Sequence, residues 1–148
     1  MKLLVAFDAR EHSVFALEQA AQIAAAGAAE ITVLSVVPPD ARGTKSGGHV
    51  GMAPHADADV EYAQAYLAVQ GIEAATKVAH GDPADEILRT ARDADYDLIV
   101  VGTRELGPIG GRLLGSVSRK VVRDAACPVV VAGRSGVTRS EPALATLP

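Results

Sequence analysis

Cysteine occurs once in the 148-residue chain, at Cys127. No internal disulfide is therefore possible, and a reducing compartment fits best. Tryptophan is absent and aromatics supply only 3% of residues, so the core must come from Val, Ile, Leu and Ala, and base-stacking platforms are not expected. No stretch approaches the ~20 consecutive apolar residues of a membrane span, and no signal-peptide pattern precedes the first apolar run. Cations are outnumbered, with 14 Lys and Arg against 18 Asp and Glu. A surface of that balance repels nucleic acid and anionic membranes. The length suits one domain with a useful core, and the expectation is a soluble cytoplasmic protein.

Two phosphate-binding signatures are missing as well. The first strand-to-helix turn, FDAREHS, has no glycine, so it is not the dinucleotide fingerprint, and no G-x-x-x-x-G-K-[ST] occurs anywhere. His49, His55, Asp57 and Asp59 match no standard zinc or calcium spacing and read as polar loop chemistry. Cys127, just before Pro128, reads as a small buried hydrophobe. His12 has no evident nucleophile to serve as a general base.

What is present alternates. LLVAF (3–7) is a strand, residues 10–26 a helix with Leu17, Ala20, Ala21 and Ala24 on one face and Gly27 as its stop. ITVLSVV (31–37) is the second strand, ended by Pro38-Pro39, and the Gly-rich stretch 41–54 is a loop. Val60, Ala63 and Leu67 sit at helical spacing up to Gly71. IEAATKVA (72–79) alternates, with Ile72, Ala74, Thr76 and Val78 on one side. GDPADEIL opens a helix, with Asp82 as N-cap, Pro83 at its first position and Asp85 in its first turn. LIVV (98–101) is apolar on both faces, a last helix spans about 116–125, and PVVVA (128–132) is the fifth strand.

This order predicts an α/β fold: a single doubly wound, Rossmann-like domain over 1–133, with a flexible polar tail over 134–148. The expected five-stranded parallel sheet has the order 3-2-1-4-5, with helices on both faces. Its ligand crevice falls where the order switches, outside strands one and four, at Asp8 and Gly102.

The glycines gather beyond strand four: Gly102, Gly107, Gly110, Gly111 and Gly115, leading into Ser116-Val117-Ser118. Glycine lets backbone approach a phosphate closely, and a helix start adds free N–H groups and partial positive charge. Asp8 with Glu11 resembles a capping box for the first helix, and Asp82 with Asp85 serves the third. The last helix begins with no acid. Arg104, Arg112, Arg119 and Lys120 face only Glu105 between 102 and 120, which favours an anion. The same residues also fit a loose turn, a helix capped by Ser116 and solvated arginines. Asp8 is likewise open to two readings, a helix cap or a carboxylate for ribose hydroxyls.

VGTRELGPIGGRLLGSVSRKVVRDAACPVVVA resembles the carboxyl-terminal half of universal stress protein A-like domains. The likeness extends to LLVAFDAREHSVFALEQA and HGDPADEILRTARDADYDLIVVG, nearly all of 1–133. ATP-binding members carry G-x2-G-x9-G-[ST] after strand four. Gly102 matches its first position, Gly115 and Ser116 its end, and Glu105 stands where the second glycine belongs. The resemblance implies an adenine nucleotide: ATP, or else ADP or AMP, with Mg able to accompany it. Asp8 would bind ribose or adenine, Val36 would lie against the base, and Gly115, Ser116, Val117 and Ser118 would hold phosphates, with Arg104 beside Glu105. Two unit charges ~6 Å apart repel by roughly 3 kcal/mol at an effective dielectric near 20, about two decades of affinity, whereas a carboxylate turned into water costs almost nothing. Weakened but retained binding is the expectation.

No pair of carboxylates lies near the loop to hold a metal for hydrolysis, so a binding or signalling module is expected, with at most slow ATP turnover. A member that works through protein contacts alone is the alternative. An apolar fifth strand at a sheet edge invites pairing, so a homodimer through 128–132 is expected, as the resemblance also implies.

Overall fold

LLVAF and ITVLSVV become the two central strands β1 (Lys2–Ala6) and β2 (Glu30–Val37), joined by helix α1 (Glu11–Ala26). Helix α2 (Ala56–Val69) leads to β3 (Ala74–His80), α3 (Pro83–Asp93) to β4 (Leu98–Gly102), and α4 (Ser116–Asp124) to β5 (Val129–Gly133). The computed structural model describes residues 1–39, 55–103, 115–134 and 136–140. Strands β1 to β5 are parallel in the order 3-2-1-4-5, as the alternation predicted. Because right-handed crossovers fix which face each connection uses, α1 and α2 cover one face and α3 and α4 the other.

Each face has its own apolar layer. Leu3, Val5 and Phe7 of the first strand and its continuation pack with Leu17, Ala20, Val60, Ala63 and Leu67. Leu4, Ile99, Val101 and Val131 pack with Ile87, Ala91 and Val121. Strand β4 has no polar alternation because both of its faces are covered. At the β3 edge only Ala74 is buried, and Thr76 is exposed. The strand begins two residues later than its periodicity suggested, since Gly71 turns at φ +77° and the Ile72 amide still bonds back to Leu67.

The tail departs from expectation. Residues 136–140, GVTRS, form a sixth strand, β6 (Gly136–Ser140), antiparallel to β5. Strand β5 is therefore hydrogen-bonded on both sides, and β6 is the edge. The expected homodimer through 128–132 required a free β5 edge, and the chain fills that edge itself. Among the described residues no helix is long and apolar enough to cross a membrane.

Candidate functional site at the switch point

The crevice lies where β1 and β4 run side by side and send their connections to opposite faces. Of the residues expected there, Asp8, Val36, Gly102 and Gly115 to Ser118 are described. Arg104, with Glu105, Gly107, Gly110, Gly111 and Arg112, lies outside the described residues, as does His49.

On the β1 side the chain makes a tight turn. Asp8 is followed by Ala9 at φ +62°, a conformation that costs a residue with a Cβ roughly 1–2 kcal/mol. The Asp8 Oδ1 atom accepts from the Arg10 amide at 3.0 Å, the Asp8 amide donates to Ser13 Oγ at 3.3 Å, and Ser13 Oγ donates to the Arg10 carbonyl at 2.9 Å. The N-cap of α1 is Arg10, without a side-chain cap bond. This corrects the capping-box reading: the positive φ at Ala9 carries the chain two residues further before the helix starts. Asp8 instead braces the turn.

Its carboxylate stays 45% exposed, with His12 Nε2 at 3.5 Å and Arg10 Nε at 3.8 Å. Burial pulls the carboxyl toward protonation, but the His12 hydrogen bond and charge, the Arg10 amide and the Ser13 hydroxyl outweigh it. Its pKa falls to about 2. Asp59, on the first turn of α2, is pushed the other way by burial and by the Asp8 charge, with His55 opposing. Asp8 is thus an ionised acceptor with one neighbouring acid held above its usual range.

Gly102 closes β4, and its glycine character has a packing cause. A Cβ there would sit 1.9 Å from the His12 carbonyl oxygen and 2.4 Å from its carbon. The first turn of α1 rests directly on β4, a close helix–strand approach open only to glycine. Phosphate approach or a loose turn was the expectation for this glycine, and the helix contact was not. Next to it Thr103 is buried, its amide bonded to the Ala132 carbonyl at 2.8 Å and its Oγ1 without a hydrogen-bond partner among the described residues. Thr103 was missed from sequence, and Ser13, expected to face solvent in the first turn of α1, is buried instead, because a hydroxyl in a turn or at a strand end carries no spacing signal.

The α4 side is built differently. Gly115 is the N-cap in an extended conformation, no side chain caps the helix among the described residues, and its first turn has no acid. By comparison α1 has Glu11, α2 has Asp57 and Asp59, and α3 is capped by Asp82, which accepts from the Asp85 amide at 3.1 Å. Gly115 and Ser116 are exposed, while Ser118 is buried with Oγ on the Gly115 carbonyl at 3.2 Å. Val117 and Val36 are half-buried members of one apolar cluster, together with Ala6 and Ala79. The structure therefore brings the end of β2 and the start of α4 to the same side of the sheet.

One charge assigned to this loop belongs elsewhere. Lys120 pairs with Asp85 and lies 3.8 Å from Asp82 on α3, and the Asp85 hydrogen bond raises its pKa. It ties α4 to α3 rather than facing the crevice. Cys127 is half-buried, and burial pushes its thiol up, with Asp97 adding to the effect, as expected of an unreactive thiol. Among the described residues no three His, Cys, Asp or Glu side chains group as a metal site.

A doubly wound α/β domain with an acid-free helix start at its switch point is the class these observations define. The universal stress protein family model matches residues 1–133, and the chain belongs to that family. Universal stress protein YxiE of Bacillus subtilis is 34% identical over 143 residues, covering 88% of this chain and 97% of the relative. Among solved structures, a universal stress protein in complex with cAMP superposes with a TM-score of 0.69 at 28% identity, over 89% of this chain and 95% of the other. A universal stress protein from Archaeoglobus fulgidus gives 0.72 at 26% identity, over 89% and 98%.

Proposed function

We propose that this universal stress protein is a cytoplasmic binding module for an adenine nucleotide, seated between β2 and α4 at the switch point. The observation that carries the reading is the α4 start. Its free N–H groups and partial positive charge are met by no acid of its own turn, and Val117 places it in one cluster with Val36. A phosphate is the natural complement of such a helix start, and the half-buried valines suit the apolar face of a base. Gly115, Ser116, Val117 and Ser118 would hold phosphate, Val36 would meet the base, and the ionised Asp8 would accept from ribose hydroxyls. Gly102 would lie beside the phosphate seat, and Arg104 is a further proposed nucleotide-binding residue. The relative with cAMP in its structure, at 28% identity, supports an adenine nucleotide. ATP is our first choice of ligand, with Mg accompanying its phosphates.

Calorimetry with ATP, ADP, AMP and cAMP, each with and without Mg²⁺, tests the reading. Binding that strengthens with phosphate number is expected for an anion seat at α4. If none of the four gives heat or a thermal shift at millimolar concentration, the chain acts through protein contacts alone. Glu105→Gly then reports on the departure from the family loop: a rise in affinity shows a carboxylate facing the ligand, and no change shows one turned into water.

A further inference from the structure

We infer that the outer face of α2 is a docking surface for a basic, amphipathic helix of another protein. Helix α2 turns Ala56, Val60, Ala63 and Leu67 toward the core. At about 100° per residue, the face opposite those four is Ala58, Tyr62, Ala65 and Val69. All four are exposed, Tyr62 at 57% and Val69 at 89%. A surface helix ordinarily shows charge to water there, and a helix apolar on two opposite faces is one that is covered on both. The exposed large hydrophobics among the described residues are Met1, Tyr62, Val69 and Val137, so two of the four fall on this one stripe. Its spacing, i, i+4, i+7 and i+11, is that of the anchors made when one helix lies along another.

The flanks select the occupant. Asp57 and Glu61 line one side of the stripe and Asp59 the other, and neither α2 nor α1, which shares its side of the sheet, contains a Lys or Arg. A second copy packing α2 on α2 would set these acids against themselves, and an anionic membrane would be repelled in the same way. Lys and Arg on either side of an apolar seam complement them. Tyr62 stacks on Phe7, with ring centroids 6.0 Å apart and planes 12° apart. Its ring is therefore held in place without a partner and loses little freedom on binding. Because Phe7 precedes Asp8, the Tyr62 end of the stripe lies beside the crevice, although docking itself needs no nucleotide. The stripe runs roughly 16 Å, and so short a contact corresponds to a weak, transient complex.

The experiment uses the full chain without nucleotide and two synthetic helical peptides of about 14 residues, roughly four turns. One is built of Leu and Lys, and the other has Glu at every Lys position. In an amide NMR titration the Leu/Lys peptide should shift residues 57–69, with a Kd on the order of 10–100 μM that weakens with salt. The Leu/Glu peptide should shift nothing. Tyr62→Ser should weaken binding about tenfold, and Asp57→Asn with Glu61→Gln by a similar factor. Since Tyr62→Ser also removes the stack on Phe7, Val69→Ser is the variant that leaves the core untouched, and it should cost about fivefold. Glu18→Gln, on α1, should change affinity less than about twofold. No binding of the Leu/Lys peptide at millimolar concentration, equal binding of both peptides, shifts centred outside 57–69, or a Val69→Ser that binds like wild type overturns the proposal. So does self-association of the wild type that Val69→Ser abolishes, which would make a second copy the occupant.

Discussion

Helices α1 and α4 both begin at the switch point, and their starts differ in what holds them. The α1 start is wired internally. Asp8, Arg10 and Ser13 share three hydrogen bonds in six residues, and the first turn rests on Gly102 with no room for a Cβ. The α4 start has an exposed glycine as N-cap, one bond from a buried serine back to that glycine, and no acid. One wall of the crevice is braced from within. The other has no capping side chain and no first-turn acid among the described residues. A rigid scaffold beside an unsatisfied helix start is a combination suited to binding an anion with little reorganisation.

The largest effect should come from breaking the fixed wall. In Gly102→Ala the new methyl meets backbone, which cannot swing aside as a flexible side chain would. Overpacking of this kind costs about 3 kcal/mol, which corresponds to a fall in Tm of roughly 10 °C for a domain of this size. Chemical denaturation checks it, and a loss below about 1 kcal/mol would mean that α1 can ride up on β4 freely.

The second effect closes the open wall. Gly115 is extended, at φ −61° and ψ 165°, and a Cβ there meets nothing nearer than Ser118 Oγ at 3.8 Å, so Gly115→Asp fits without strain. It would make α4 resemble α3, with its own carboxylate on the helix start. Stability should hold or rise by a few tenths of a kcal/mol, while nucleotide affinity should fall by about tenfold or more. Gly115→Asn has the same shape without the charge and should lose less. Equal losses in the two variants would show that shape, not charge, governs the seat.

Third comes the acid dependence of the α1 wiring. The Asp8 pKa is held at about 2 against an ordinary 3.8, so this carboxylate contributes stability above pH ~4 that is lost as pH falls toward 2. With the side chain 45% exposed, solvent screening reduces the contribution to about 1 kcal/mol. Asp8→Asn should unfold less steeply than wild type between pH 4 and 2, and His12→Gln should raise the Asp8 pKa, read by carboxyl NMR titration. Identical acid limbs for wild type and Asp8→Asn would show that the wiring does not depend on the charge.

The same contrast explains what was legible in the sequence. Periodicity reports burial, so α2 with Val60, Ala63 and Leu67, the two-faced β4 and the order of the parallel strands could all be read. The α3 cap was legible because Asp82-Pro83 is a local signal, and the α4 start because its lack of acid is local too. What escaped depends on contacts distant in sequence. Gly102 is glycine because of His12, 90 positions away, and Lys120 serves α3 rather than the crevice. Strand β6 escaped because GVTRS gains strand character only from the β5 edge beside it.

The smallest effect tests the turn that displaced the α1 cap. Ala9 holds φ +62°, a region that glycine enters at no steric cost. Ala9→Gly relieves that strain but loosens the unfolded chain, and the two terms oppose each other, leaving a net gain of about 0.5 kcal/mol. A small rise in the denaturation midpoint, with the slope unchanged, is the expected reading. Nucleotide affinity should not move, because the three hydrogen bonds that place Asp8 involve the amides of Asp8 and Arg10, the carbonyl of Arg10 and the side chains of Asp8 and Ser13, never the Ala9 methyl. If affinity falls while stability rises, the strained turn itself positions Asp8 for its ligand, and the fixed wall owes its geometry to Ala9 as well as to Gly102.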